Sequence, residues 1–284
     1  MSGKLYLCAT PIGNLEDITF RVVKTLKEVD LIAAEDTRHS RKLLNHYEIK
    51  TPMTSYHEHN KVDKARYLVK KLLEGKSIAL ITDAGTPAIS DPGEELVKQA
   101  YEAGIEVTSL PGPCALITGL TLSGLSTRRF SFEAFLPHDK RERERILKEL
   151  INDTRTLILY EAPHRLLRTI KALYEALGNR NITIIKELTK THETIWRTSL
   201  KEAVREYEAI EPKGEYVLII EGKSHEEIEA EIQSRWEEKS ITEHMRIYID
   251  AGLDKKEAMK SVAKDRGISK RDVYQALLDA NEDS

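Results

Sequence analysis

Short apolar runs that alternate with helix-length segments constrain this chain more than any other feature. Near its start lie four such runs, rich in β-branched residues and leucine: KLYLCAT, VDLIAAE, KSIALIT and IEVTSL. Each is followed by polar or Gly/Pro residues and then by a segment with helical periodicity. Strands that are apolar on both faces indicate a mostly parallel sheet, covered by helices and joined by right-handed crossovers. The first part of the chain is therefore predicted to be an α/β domain.

The pattern changes from about residue 128, where five further strand-like runs follow: RFSFEAF, RTLILYE, NITIIKEL, ETIWRTS and GEYVLIIEG. The connection from Ile184 to Ile195 is too short to contain a helix, so a hairpin is predicted there. A hairpin makes the second sheet mixed. The fold class predicted is two α/β domains, the first parallel-rich and the second mixed, with a cleft between them.

After Gly222 the β pattern stops, and amphipathic segments predict helices near residues 225–238, 240–250 and 254–281. Gly267 and Ser269 divide the last segment, which predicts a helix-turn-helix-like module. The domains predicted are 1–115, 116–224 and 225–284. Acids and bases are about equally frequent from Lys239 onward, so the module is interpreted either as a packing or dimerisation element or as a nucleic-acid-binding arm.

Composition, cysteine content and net charge limit the class of protein, its cellular location and its way of binding RNA. The 284 residues are 40% hydrophobic and 32% charged, and they contain no apolar run of about 18 residues, so a globular protein without a membrane span is predicted. Two cysteines, Cys8 and Cys114, form no disulfide framework and no metal-ligand spacing, which favours a reducing cytoplasm. The net charge of -3 requires any RNA binding to use local basic patches.

Three Gly/Pro-rich loops follow predicted strands of the first domain, where an open α/β sheet binds its ligands. They are ATPIGNLEDIT, with Pro11 and Gly13; ITDAGTPAISDPG, with Asp83, Gly85 and Thr86; and SLPGPCALITG, in which Pro113 is predicted at a first helical position. Neither GxGxxG nor GxxxxGK[ST] occurs, which disfavours standard dinucleotide and P-loop sites. Each loop alone is explained by turn formation or helix capping, but the three together predict a binding edge.

Six segments, in this order, closely resemble the ribosomal RNA small subunit methyltransferase I family of the tetrapyrrole methylase superfamily: TPIGNLEDIT, AEDTRHSRKLL, ITDAGTPAISDPG, LPGPCA, YEAPHRL and KELTKTHE. The resemblance covers essentially the whole chain. It implies an enzyme that uses S-adenosylmethionine to methylate the ribose 2′-oxygen of a cytidine in the decoding region of 16S rRNA. It also implies a homodimer and a substrate presented within the small ribosomal subunit.

The resemblance implies cofactor contacts at positions that match the superfamily's motifs. These positions are Pro11, Thr86, Ile89, Cys114, Ala115 and Tyr160, to which the loop pattern adds Gly13, Asp83 and Gly85. Many tetrapyrrole methylases have Gly-Asp-Pro where this chain has Gly85, Thr86 and Pro87. This departure favours an RNA substrate over a porphyrinoid. The alternatives kept are a tetrapyrrole methylase of the same fold and a non-enzymatic nucleic-acid-binding regulator.

A methyl sulfonium needs no metal, so catalysis depends on positioning the acceptor oxygen and removing its proton. Glu187 and Lys186, at the end of a predicted second-domain strand, are the candidate bases, with an ordinary ion pair as the alternative role. No metal site is predicted, because the adjacent residues His57, Glu58 and His59 diverge on a strand. Basic residues at two predicted helix starts are the candidate RNA contacts: Arg38, His39, Arg41 and Lys42, and His164 with Arg165.

Overall fold

The computed structural model describes residues 2–282. The chain forms two compact units. One contains the residues up to Leu147 together with Thr156–Glu221, and the other contains Lys148–Arg155 with the segment from Gly222 onward. The bounds of the three predicted domains stay a prediction.

The first sheet is built from five parallel strands in the order β3-β2-β4-β1-β5. The strands are β1 (Lys4–Cys8), β2 (Leu31–Ala34), β3 (Met53–Ser55), β4 (Ile78–Ile81) and β5 (Glu106–Leu110). The connecting helices are α1 (Phe20–Glu28), α2 (Thr37–His46), α3 (Lys61–Leu73) and α4 (Gly93–Glu102). The four predicted strands and the parallel sheet are confirmed. Strand β3 was not predicted, because three half-buried residues at a sheet edge leave too short a pattern.

Both faces of this sheet are buried, as its uniformly apolar strands require. Leu5 and Leu7 point into one core with Leu68 of α3 and Leu96 of α4. Cys8 belongs to a second core, which includes Val22 and Leu26 of α1. The alternation of side chains along β1 therefore supplies both layers, and the carboxyl edge of the sheet is left for ligands.

The second sheet is mixed and has the order β6-β7-β10-β8-β9. Its strands are β6 (Phe130–Ala134), β7 (Thr156–Glu161), β8 (Asn181–Lys186), β9 (Thr194–Ser199) and β10 (Tyr216–Ile220). The helices that accompany it are α5 (Ala115–Ser123), α6 (Lys140–Leu150), α7 (Leu166–Leu177) and α8 (Leu200–Ala209). β8 and β9 pair antiparallel, so the predicted hairpin is confirmed.

One expectation about α5 is wrong. Pro113 does not occupy a first helical position, because α5 begins at Ala115 and Cys114 is its N-cap. The carbonyl of Pro113 instead accepts a hydrogen bond from the hydroxyl of Thr86. Pro113 thus belongs to the binding edge rather than to the helix.

The second unit contains α9 (His225–Ser234), α10 (Ile241–Asp250), α11 (Lys255–Asp265) and α12 (Lys270–Glu282). Met245, Met259, Val262 and Val273 form its core. The predicted division near Gly267 is confirmed, since the amide of Asp272 donates to the Ser269 hydroxyl 3.1 Å away.

The capping box of α10 allows a test of this unit. The Ser240 hydroxyl accepts from the Glu243 amide at 3.1 Å, and the Glu243 carboxylate accepts from the Ser240 amide at 2.8 Å. We expect Ser240→Ala to lower the free energy of unfolding of this unit by about 0.5–2 kcal/mol, measured by urea denaturation. Thr242→Ala, at an exposed position inside α10, is the control and should change it by no more than about 0.5 kcal/mol. Equal stabilities of the two variants would contradict the capping role.

Candidate active site

The three Gly/Pro-rich loops lie side by side at the carboxyl edge of the first sheet, because they follow the adjacent strands β4, β1 and β5. Backbone hydrogen bonds join the first two loops, from Thr10 to Gly85 at 2.9 Å and from Gly85 to Thr10 at 3.0 Å. The Thr86 hydroxyl donates to the carbonyl of Pro113 at 3.0 Å and so joins the second loop to the third. The predicted binding edge is therefore one connected structure.

The loop after β4 also carries backbone strain. Ala88 and Ser90 have φ angles of 66° and 64°, a conformation that costs non-glycine residues roughly 1–2 kcal/mol each. The Asp91 carboxylate holds this segment by accepting from the amides of Ala88 and Gly93, at 3.0 and 2.7 Å. Strain that the surrounding contacts maintain is typical of ligand-binding loops.

The second sheet contributes the end of β7 and the start of β10, which are neighbours because the two strands are antiparallel. Tyr216 pairs with Glu161, and Val217 pairs with Tyr160. The hydroxyl of Tyr160 accepts a hydrogen bond of 2.9 Å from the amide of Leu116, in the first turn of α5. Burial raises the pKa of this hydroxyl. Tyr160 therefore stays neutral and ties the second sheet to the binding edge.

These elements enclose a cavity of about 340 Å³, within the range of small-molecule sites. Loops of the first sheet contribute Ile12, Glu35, Thr82, Asp83, Ala84, Gly85, Thr86, Ile89, Ser90, Asp91, Cys114 and Ala115 to its lining. The second sheet and its loops contribute Phe135, Tyr160, Glu161, Ala162, Leu188, Lys190, Glu215, Tyr216 and Val217.

Most of the residues predicted to bind the cofactor meet in this cavity. Those that line it are Asp83, Gly85, Thr86, Ile89, Cys114, Ala115 and Tyr160. Pro11 and Gly13 do not line it, but they flank Ile12, which does. Gly13 has a packing role of its own, since a Cβ there would lie 2.5 Å from Cγ of Lys190 and 2.9 Å from the Leu188 carbonyl oxygen.

Carboxylates dominate the polar lining of the cavity. Asp83 is exposed, but partial loss of hydration raises the pKa of its carboxyl, and the negative charge of Glu35 adds to the effect. Burial likewise raises the pKa of Asp91. The Glu35 carboxylate accepts from the Thr82 hydroxyl at 2.6 Å. The carboxylates that line the cavity attract positively charged groups of a ligand.

Glu161 is the most deeply buried of these acids, with a side chain that is 0% exposed. It accepts hydrogen bonds from the Ala162 amide and the Thr169 hydroxyl, and its carboxylate lies 3.4 Å from Nε of Arg165. The Arg165 guanidinium also donates to the Leu136 carbonyl and contacts the His138 ring. These contacts hold Arg165 inside the protein, while His164 is exposed. RNA contacts by this pair stay a prediction, and the observed role of Arg165 is to compensate a buried charge.

The basic cluster of α2 lies beside the cavity. Arg38, His39, Arg41 and Lys42 are exposed. The amide of Asp36, the N-cap of α2, donates to the Asp83 carboxylate at 3.0 Å and so places this helix start next to a cavity-lining residue. An ion pair with Arg38 lowers the pKa of Asp36 to about 2. The cluster is thus available to a large substrate at the site, and its RNA-binding role stays a prediction.

The candidate bases Lys186 and Glu187 do not line the cavity. The Glu187 carboxylate accepts from the Glu215 amide and from Nζ of Lys190, each at 2.9 Å. The hydrogen bond from the Glu215 amide and the Lys190 charge lower the pKa of Glu187. Lys190, three residues further on, does line the cavity.

Several cavity residues lie inside the six segments of the family resemblance but were not predicted to belong to the site. Glu35 belongs to AEDTRHSRKLL, Glu161 to YEAPHRL and Lys190 to KELTKTHE. Their charges mark these residues as candidates, but the sequence does not show which way their side chains point. Phe135 and Glu215 belong to the strand-like runs RFSFEAF and GEYVLIIEG and lie outside the six segments of the family resemblance, and no local pattern distinguishes them as site residues.

Residues 2–282 contain no group of three or more His, Cys, Asp or Glu side chains that could hold a metal ion. No helix within the same range has the length and apolarity needed to span a membrane.

The family model of Tetrapyrrole (Corrin/Porphyrin) Methylases matches residues 4–204. Solved structures with the same fold include a diphthine synthase, with a TM-score of 0.63 and 14% identity over 78% of this chain and 91% of that one. Another is uroporphyrin-III C-methyltransferase from Thermus thermophilus in complex with S-adenyl homocysteine, with a TM-score of 0.57 and 18% identity over 77% and 97% of the chains.

Curated relatives are much more similar. Ribosomal RNA small subunit methyltransferase I of Halalkalibacterium halodurans is 52% identical, over 96% of this chain and 93% of its own. The Bacillus subtilis protein of the same name is 47% identical, over 96% and 94%. The one from Thermotoga maritima is 45% identical, over 78% and 99%. The chain therefore belongs to the ribosomal RNA small subunit methyltransferase I family, within the tetrapyrrole methylases.

Proposed function

We propose that the protein transfers a methyl group from S-adenosylmethionine to the ribose 2′-oxygen of a cytidine in the decoding region of 16S rRNA. The observation that carries the proposal is the 52% identity, over 96% of the chain, to a ribosomal RNA small subunit methyltransferase I. The cytidine and its 2′-oxygen come from the family resemblance and belong to the proposal.

The cavity fits the proposed cofactor. S-adenosylmethionine supplies a methyl group on a positively charged sulfur and carries an ammonium group, and the carboxylates of Glu35, Asp83 and Asp91 suit both cations. The apolar lining from Ile12, Ile89 and Val217 suits an adenine ring. We therefore assign cofactor contacts to the cavity-lining members of the predicted set and a supporting role to Pro11 and Gly13.

RNA would approach from the side of α2, where Arg38, His39, Arg41 and Lys42 are exposed beside Asp83. Lysine and arginine side chains grouped in this way bind phosphates. A homodimer, action within the small ribosomal subunit and a cytoplasmic location complete the proposal. These three parts follow from the family resemblance, whereas the proposed RNA approach is supported by the exposed basic cluster of α2.

The test is methyl transfer from radiolabelled S-adenosylmethionine to three acceptors in parallel: unmodified small ribosomal subunits, naked 16S rRNA and a porphyrinoid precursor. Label on a decoding-region ribose, mapped by nuclease digestion and mass spectrometry, is the expected result. Label on the porphyrinoid alone would show that the substrate is a porphyrinoid, although the protein would still be a methyltransferase. Nucleic-acid binding without any transfer would favour the regulator.

The two cysteines provide an independent check of the cofactor site. Burial raises the pKa of the Cys8 thiol to about 12, so it should resist alkylation at pH 8. Cys114 is partly exposed and lines the cavity. We expect iodoacetamide to modify Cys114 and S-adenosylhomocysteine to slow that modification at least about tenfold, followed by mass spectrometry, as expected when the bound form predominates. Unchanged labelling at saturating ligand would contradict a cofactor site at Cys114.

A further inference from the structure

The cavity holds one charged group of the opposite sign to the rest. Among the described residues that line it, Lys190 is the only lysine or arginine, opposite five carboxylates: Glu35, Asp83, Asp91, Glu161 and Glu215. Its Nζ lies 2.9 Å from both Glu187 Oε1 and Glu215 Oε2. These three residues, which we call the Glu-Lys-Glu triad, carry a net charge of -1.

Strained backbone accompanies this arrangement. Glu187 and Thr189 have φ angles of 53° and 66°, in the left-handed region that non-glycine residues avoid. Two glycines make room for the triad. A Cβ on Gly214 would lie 2.6 Å from Cγ of Glu187, and one on Gly13 would lie 2.5 Å from Cγ of Lys190. A simple surface ion pair needs no such support.

The triad leaves Lys190 with a free hydrogen-bond donor, which the proposed reaction can use. A lysine ammonium has three N–H donors, and two carboxylates occupy two of them, so one donor remains for a ligand in the cavity. The hydrogen bonds to Glu215 and Glu187 raise the pKa of Lys190 although burial alone would lower it. Lys190 therefore stays charged and acts as a donor rather than as a base.

The other cavity carboxylates are engaged elsewhere. Glu35 accepts from Thr82, Asp83 from the Asp36 amide, and Asp91 from two loop amides. Glu161 is fully buried against Arg165. Glu215 combines a lining position with a side chain that is 79% exposed, so it can meet a large substrate.

We propose that Lys190 and Glu215 are catalytic residues that contact the acceptor hydroxyl, and that Glu187 is a positioning residue for Lys190; this rests on the proposed function. Lys190 donates a hydrogen bond to the acceptor oxygen and orients it. The O–H bond breaks and its proton passes to the Glu215 carboxylate, an O–CH₃ bond forms, and the C–S bond breaks with its electron pair left on sulfur. The sulfonium and carboxylate charges disappear together, so the charge balances.

The experiment measures single-turnover methyl transfer to small ribosomal subunits, and S-adenosylhomocysteine affinity by calorimetry, for the full-length protein and its variants. We expect Glu215→Ala and Lys190→Gln each to slow transfer roughly 10²-fold, the usual size of a proton-transfer contribution, while the affinity changes less than about twofold. Added acetate should partly restore Glu215→Ala, and Lys190→Arg should retain more activity than Lys190→Gln. Glu187→Gln should slow transfer less than Lys190→Gln does. Glu211→Gln, an exposed position in the same loop and outside the cavity lining, is the matched control and should be unaffected.

Two results would overturn the inference while the proposed function stands: full activity in Glu215→Ala and Lys190→Gln, or a loss of transfer that follows a loss of S-adenosylhomocysteine binding. The second result would make the triad part of the cofactor site. If the unaltered protein binds the cofactor but methylates no ribose, the proposed function itself fails, and the triad's role falls with it. Circular dichroism on each variant separates these results from misfolding.

Discussion

Replacing Arg165 by methionine should lower the free energy of unfolding by about 3–5 kcal/mol, the usual cost of leaving a buried charge without its partner. Glu161 is 0% exposed and Arg165 only 15%, with 3.4 Å between carboxylate and guanidinium. Methionine keeps the length and apolar contacts of the side chain, so the loss arises from the uncompensated carboxylate and from the unpaired Leu136 carbonyl. Urea denaturation followed by circular dichroism measures the change.

Two variants make this measurement specific. Arg168→Met, one helical turn away at an exposed position, should change the stability by no more than about 0.5 kcal/mol. Arg165→Met combined with Glu161→Gln should recover part of the loss, because the neutral amide no longer needs a cation. Unchanged stability together with weaker RNA binding would instead support the RNA contact predicted from sequence.

Gly13→Ala is expected to reduce kcat/KM for methyl transfer by roughly 10²-fold, because a displacement of about 1 Å at a catalytic site costs that much. The added Cβ would lie 2.5 Å from Cγ of Lys190 and 2.7 Å from the Thr189 hydroxyl oxygen. It also meets the Leu188 carbonyl oxygen, which belongs to the backbone and cannot turn aside. The loop after β1 and the turn after β8 must then separate, and both border the cavity.

Gly104→Ala is the matched control for this prediction. Gly13 and Gly104 have positive φ angles of 159° and 69°, but a Cβ at Gly104 meets nothing within 4 Å. The control therefore reports the cost of the backbone conformation without the collision, and it should leave kcat/KM unchanged within about twofold, since no part of the site moves. Equal activities for the two variants would show that the close approach at Gly13 is dispensable.

Much of the fold is readable from local pattern. The four apolar runs of the first domain became β1, β2, β4 and β5, and the short connection after Ile184 became the β8–β9 hairpin. These elements follow from periodicity and loop length, which are properties of neighbouring residues. Where the pattern was too short, as for β3, or where a loop proline resembled a helix start, as for Pro113, prediction failed.

The candidate site likewise has residues that local sequence predicts and residues that it does not. Sequence alone determined the loops that form the binding edge, the segments that carry the family resemblance and most residues of the proposed cofactor site. It could not show that Arg165 turns inward to a buried Glu161, since burial depends on what packs above a residue. It predicted Glu187 and Lys186 as the candidate bases, but neither lines the cavity, whereas Lys190 and Glu215 do.

Only the tertiary structure shows that Lys190 and Glu215 meet at the cavity, because their meeting depends on how the strands pair. Because β8 and β10 are antiparallel, with Lys186 opposite Tyr216, the end of one strand lies beside the start of the other. Lys190 and Glu215, 25 residues apart in the chain, thereby come within 2.9 Å. A single chain's periodicity indicates that strands exist, but the order and direction in which they pair depend on the global packing of apolar faces.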